Sequence, residues 1–120
     1  MSPWEYFINK AESLDEILKP FEEFLSSKDY IIEENGKKLL VEARGLVDRI
    51  HGYKIVIYPN EHYPPHFHII KDNQKLAAYT IDNCKKINGN LPRNIEAKIV
   101  FYHELAKDKL IKFWKNTRPG

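Results

Sequence analysis

Two shortages narrow what this chain can be before any pattern is read. Cys84 is the single cysteine, so no internal disulfide is open to the chain, whereas a secreted domain of this size usually carries several. No stretch approaches the roughly 20 apolar residues that a membrane-crossing helix requires. The opening Met1-Ser2-Pro3-Trp4-Glu5 has neither the basic nor the apolar region of a secretory leader. Together these point to a cytoplasmic protein with no membrane partner and to Cys84 as an ordinary thiol. Internal repeats and low-complexity linkers are missing too, which excludes solenoid and tethered-module designs.

What is present fits one folded domain over residues 1–120. A length of 120 residues leaves too little surface to bury for two cores. A hydrophobic share of 42% against 30% charged is too apolar for a disordered chain. The net charge of +2 hides a division. Residues 1–34 hold nine acids and three bases, net −6, which leaves eight acids and sixteen bases, net +8, for residues 35–120. A basic C-terminal part can meet nucleic acid or an acidic partner, and the acidic N-terminal part can dock on it or compete for it. Two solvated faces with no partner satisfy the same charges.

Hydrophobic spacing predicts helices at both ends. Ser2, Pro3 and Glu5 form a helix start, followed at helical intervals by Trp4, Phe7, Ile8 and Ala11. Ser13-Leu14-Asp15-Glu16 opens a second helix carrying Leu14, Ile17, Leu18, Phe21, Phe24 and Leu25, with Pro20 expected to kink or divide it. From Asp29 the period becomes strand-like. Asn35-Gly36 between Tyr30–Glu34 and Lys37–Val41 is the turn pair that a type I′ hairpin demands. Further strands are expected at Leu46–Ile50 and Tyr53–Tyr58, joined at His51-Gly52, and at His66–Lys71 and Leu76–Ile81 around Asp72-Asn73-Gln74. Asn88-Gly89-Asn90 closes the sheet region. Pro92 then starts a helix with Ile95, Ile99, Tyr102, His103 and Ala106 on one face, and a last helix from about Asp108 turns Leu110, Ile111 and Trp114 inward. Hairpin-connected strands between terminal helices, without alternating βαβ units, give an α+β fold: an antiparallel sheet packed against N- and C-terminal helices.

The concentrated chemistry lies in Glu61-His62-Tyr63-Pro64-Pro65-His66-Phe67-His68. Strand alternation puts His66 and His68 on one face and Phe67 and Ile69 on the other, toward the helices. Three readings fit. Glu61, His62, His66 and His68 can hold zinc or another divalent ion, three nitrogens leaving a position open. Alternatively, His66 and His68 act as acid and base without a metal while Arg93 or a tyrosine stabilises a phosphate, as in RNA cleavage. The third reading is structural: the histidines bond loop carbonyls, pack on Tyr63 or Tyr58, or touch a partner protein. His51, in a turn, and His103, beside Glu104 on a helix, read as satisfied structural imidazoles. Glu96, Lys98, Lys107, Lys109, Lys112 and Lys115 read as solvated helix faces, although with Trp114 and Arg118 the basic cluster could also grip a phosphate backbone.

Glu61-His62-x-x-Pro65-His66-Phe67-His68, followed by Leu91-Pro92-Arg93 and by Glu104-Leu105, Leu110 and Trp114, resembles a small bacterial domain-of-unknown-function family. Its members carry a D/E-H-x-P-P-H-F/V-H signature, an L-P-R helix start and a tryptophan near the C-terminus. The resemblance covers residues 46–118 and leaves 1–45, with its helices and hairpin, as an added element. Ala106 and Phe113 stand where members often carry histidine and asparagine. The resemblance implies a setting: gene pairs of toxin–antitoxin or immunity type. The expected function is therefore that of an interaction protein of such a module, binding the cognate protein of its operon through the open sheet face, with Glu61, His62, Tyr63, His66 and His68 as contacts. A ribonuclease-like toxin using His66, His68 and Arg93, with or without a metal, is the alternative.

Overall fold

The computed structural model describes residues 3–42, 52–58 and 64–117. The fold is α+β, as the patterning implies. Helix α1 (Pro3–Lys10) starts on a proline whose fixed φ suits a first turn; the Ser2 cap lies outside the described residues. Trp4, Ile8 and Ala11 are buried, but Phe7 is exposed. At ~100° per residue, Phe7 falls at the margin of the stripe those three define. Helix α2 (Leu14–Ser26) is capped by the Ser13 hydroxyl, which accepts from the Glu16 N–H at 3.3 Å. The Glu16 carboxylate accepts from the Glu12 N–H at 2.6 Å, one residue before the position a capping box would use. Pro20 does not divide α2. It removes one helical hydrogen bond, while Ile17 and Leu18 before it and Phe21, Phe24 and Leu25 after it are anchored in the core.

Strands β1 (Tyr30–Glu34) and β2 (Lys37–Val41) form a separate two-stranded sheet turned by Asn35 and Gly36, both at positive φ, as a type I′ turn requires. Its Ile31 and Leu40 pack against the core, whereas Tyr30, Ile32 and Leu39 are exposed. Strands β3 (Lys54–Val56), β4 (His66–Lys71), β5 (Gln74–Thr80) and β6 (Lys86–Gly89) follow in that order across a four-stranded antiparallel sheet. The expected strand at Leu46–Ile50 and its His51 lie outside the described residues. The β4–β5 turn places Asp72 and Asn73 at positive φ, which short polar side chains tolerate. The sheet closes at Asn88–Asn90 as expected, but a further strand, β6, precedes that close. Its Gly89 is obligatory there, since a Cβ would sit 2.0 Å from the Leu76 carbonyl oxygen.

Helix α3 (Arg93–Thr117) is one continuous helix rather than two. The apolar face of 95–106 carries on in Leu110, with Ile111 and Trp114 half-buried, so nothing forces a break near Asp108. Its Tyr102 ring stacks on Phe21 of α2 at 4.2 Å, and its hydroxyl donates to the Ile17 carbonyl at 2.8 Å. Phe21 in turn meets Phe67 of β4, which stacks on Tyr79 of β5. The two terminal regions thus close over one face of the sheet.

Three charged residues expected on solvated faces are structural. Lys98 is 1% exposed; its ammonium donates to the Phe24 and Ser27 carbonyls at 3.1 and 2.8 Å and lies over the Phe24 ring. Lys109 donates to the Ile8, Asn9 and Ala11 carbonyls at 3.1, 2.6 and 3.1 Å. A helix leaves its last carbonyls unpaired and its C-terminus partly negative. Lys98 therefore caps α2 and Lys109 caps α1 from one side of α3, since eleven residues make about three turns. Glu96 accepts from the Tyr79 hydroxyl at 2.9 Å and pairs with Lys86 at 3.8 Å. No helix among the described residues is long and apolar enough to cross a membrane.

Candidate functional site

Alternation along β4 works as the sequence implies. Phe67 and Ile69 are fully buried under the helices, and the rings of His66 and His68 stand together on the other face, with centroids 4.9 Å apart in an edge-to-face arrangement. The pairing of His68 with Val56 on one side and Ala78 on the other puts it at the middle of the sheet. His66, opposite Thr80, is nearer the end. Sequence reasoning expected this face to be open, but its centre is closed: Ala78 is fully buried, and His68 and Thr80 are 8% and 6% exposed. Only His66 of the pair is half-buried.

Each ring is held by its neighbours. The Tyr58 ring meets His68 edge-on at 5.2 Å, and the Lys75 ammonium lies 4.7 Å above the Tyr58 ring. The Nδ1–H of His66 donates to the Pro64 carbonyl at 2.8 Å. A carbonyl only accepts, so this bond fixes the proton on Nδ1 and makes Nε2 the basic nitrogen of the neutral ring. Pro65 is tied down in turn, because the Ile81 N–H donates to its carbonyl at 3.0 Å. Behind that bond the buried His103 donates from Nε2 to the Ile81 carbonyl at 2.6 Å, the satisfied structural imidazole expected of it. Lys75 was missed from the sequence, where nothing but the β4–β5 register could have brought it to Tyr58.

The structure brings His66 and His68 together. Arg93 opens α3, whose first turn also holds Glu96 against Tyr79 on the helix-covered face; the imidazoles occupy the opposite face. Glu61, His62 and Tyr63 lie outside the described residues. Among the described residues no three His, Cys, Asp or Glu side chains gather closely enough to hold a metal ion. The orienting bond on His66 Nδ1 is nevertheless the kind that presents Nε2 to a metal, and the two rings supply two nitrogens of the expected set. Cys84 is no nucleophile: burial first, then the nearby Glu96, pushes its thiol up to about 12, so it stays protonated near neutral pH.

With this geometry in view, comparison with known proteins places the chain. A family model described as "Domain of unknown function (DUF4160)" matches residues 52–115, more than half of the chain. This protein belongs to that family. No curated protein and no solved structure matches it. The DUF4160 span runs from just before β3 to the last turns of α3, so it contains the four-stranded sheet and both imidazoles. Helices α1 and α2 and the hairpin precede it, yet α2 contributes Phe21 and Phe24 to the centre of the shared core.

Proposed function

We propose that the protein acts by binding another protein, as one member of a two-gene bacterial module of toxin–antitoxin or immunity type. The observation that carries this reading is the outer face of the β1–β2 hairpin. Tyr30 stands opposite Val41 and Ile32 opposite Leu39, and Tyr30, Ile32 and Leu39 are all solvent-exposed. Because the inner face of the same hairpin already packs on the core, these side chains are surplus to folding, and a contiguous apolar patch of this kind marks a contact surface. His66, with Glu61, His62 and Tyr63 adjoining it in sequence, forms the second expected contact. The resemblance supports the gene-pair setting, and cytoplasmic action follows from that setting.

The ribonuclease reading needs both imidazoles and Arg93 on one phosphate, with Arg93 reaching from the first residue of α3. Nucleic-acid binding through the basic C-terminal part loses Lys98 and Lys109, which are spent on helix caps. The test of binding is co-expression with the neighbouring gene of its operon. The expected outcome is co-elution of the two products, lost in Ile32→Glu and Leu39→Glu, which alter side chains already in water and so leave the fold intact. A chain that elutes alone and monomeric contradicts the reading.

A further inference from the structure

The two edges of the four-stranded sheet are finished differently. At β3 the outward N–H groups are taken by α2: the Ser26 hydroxyl accepts from Tyr53 at 2.9 Å and the Glu22 carboxylate from Ile55 at 2.8 Å. Glu22 and Ser26 are one helical turn apart and Tyr53 and Ile55 two strand residues apart, so the periods of helix and strand match. At the other edge, every residue from Lys85 to Asn90 is exposed, and β6 has no neighbour beyond it among the described residues.

An edge strand directs the N–H and C=O of alternate residues away from its sheet, which makes it a template for another strand unless something covers or repels it. Ile87, where the pairing with β5 slips by a residue, is 44% exposed, an apolar side chain at an otherwise polar edge. Lys85 and Lys86 flank it, and the Lys86–Glu96 ion pair brings the start of α3, with exposed Arg93, alongside. Glu96 pairs with Lys86 and accepts from Tyr79, and exposed Asp82 lies before Lys85, which leaves Lys85 and Arg93 the larger share of charge at this edge. A second copy of the same edge would set lysine against lysine. The complement is an acidic strand.

We propose that β6 is an acceptor edge for an extended segment of a partner protein, one that alternates aliphatic with acidic residues and adds a fifth strand to the sheet. This rests on the protein-binding reading above and names the chemistry of the segment.

The probe is a capped hexapeptide alternating valine with glutamate, titrated into the full-length, isotope-labelled chain and followed by amide chemical shifts. Shifts should concentrate at Lys86–Asn90 and their β5 neighbours. They should weaken roughly tenfold when alternate peptide nitrogens are methylated, and about as much when lysine replaces glutamate. Lys85→Glu should weaken the glutamate peptide about fivefold. Shifts that are absent from β6, that survive methylation, or that appear equally with the lysine peptide overturn the proposal. No partner gene product enters this assay. A silent β6 thus leaves co-elution untouched, and a chain that elutes alone leaves the peptide result standing.

Discussion

The two faces of the four-stranded sheet are closed by different physics. On one, Phe67, Ile69, Tyr79 and Ile55 meet Phe21, Ile99 and Tyr102 in an aromatic-rich layer, and the polar ends of the covering helices are satisfied by Lys98 and Lys109. On the other, Ala78, the Thr80 hydroxyl and the His68 imidazole fill the centre, with His66 toward the end, the Tyr58 ring edge-on to His68 and Lys75 above that ring. Volume closes the first face, so loss of volume there is felt throughout the molecule. Polar rings held by edge contacts and a carbonyl bond close the second, so it should tolerate change.

Phe21→Ala should have the largest effect. It removes a ring stacked on Tyr102 and touching Phe67, at a cost of about 3–5 kcal/mol read from urea unfolding. His68→Ala should cost clearly less; an equal cost would erase the contrast between the faces. Lys98→Ala comes next, since it takes the ammonium from the Ser27 carbonyl and leaves the Phe24 carbonyl only its bonds from the Ser27 N–H and hydroxyl, at about 1–3 kcal/mol. Lys109→Ala, at a half-buried site where water can replace the ammonium, should cost about 0.5–1 kcal/mol. Both are measured by the same unfolding curves.

Glu22 sharpens the comparison through pH. Burial raises its pKa above the ordinary glutamate value, only partly offset by the Ile55 N–H and Lys54. The folded state therefore holds this proton more tightly than the unfolded chain, and the associated stability is present below the unfolded pKa and lost as pH rises through the folded one. Wild type should lose melting temperature relative to Glu22→Gln as pH rises from about 4 to 7. A constant difference across that range contradicts the role given to burial. The smallest effect belongs to His66→Ala, at the rim of the second face, which should change stability by roughly 0.5 kcal/mol or less.

How far the sequence reached follows from the range of each signal. Local chemistry was readable: Asn35-Gly36, the Ser13 cap, the alternation of His66 to Ile69 and the Ile95–Ala106 stripe all appear in place. What failed depended on contacts distant in sequence. Lys98 and Lys109 looked like solvent-facing lysines because nothing near them in the chain shows that two helix C-termini end beside them. β6 was missed because Lys86–Gly89 is short, exposed along its whole length and free of a period-2 pattern. Pro20 reads as a breaker locally, yet tertiary anchoring on both sides keeps the helix whole. At the site, the shared face of His66 and His68 was legible from alternation alone. The burial of His68 was not, since it depends on what covers the face.

The most direct test of the central claim, that the protein acts by binding rather than by catalysis at its imidazoles, is growth of cells expressing the chain alone. His66→Ala and His68→Ala should leave growth as the wild-type chain leaves it. Arrest by the wild type that either substitution abolishes, with the circular dichroism spectrum unchanged, would contradict the account and make these imidazoles catalytic.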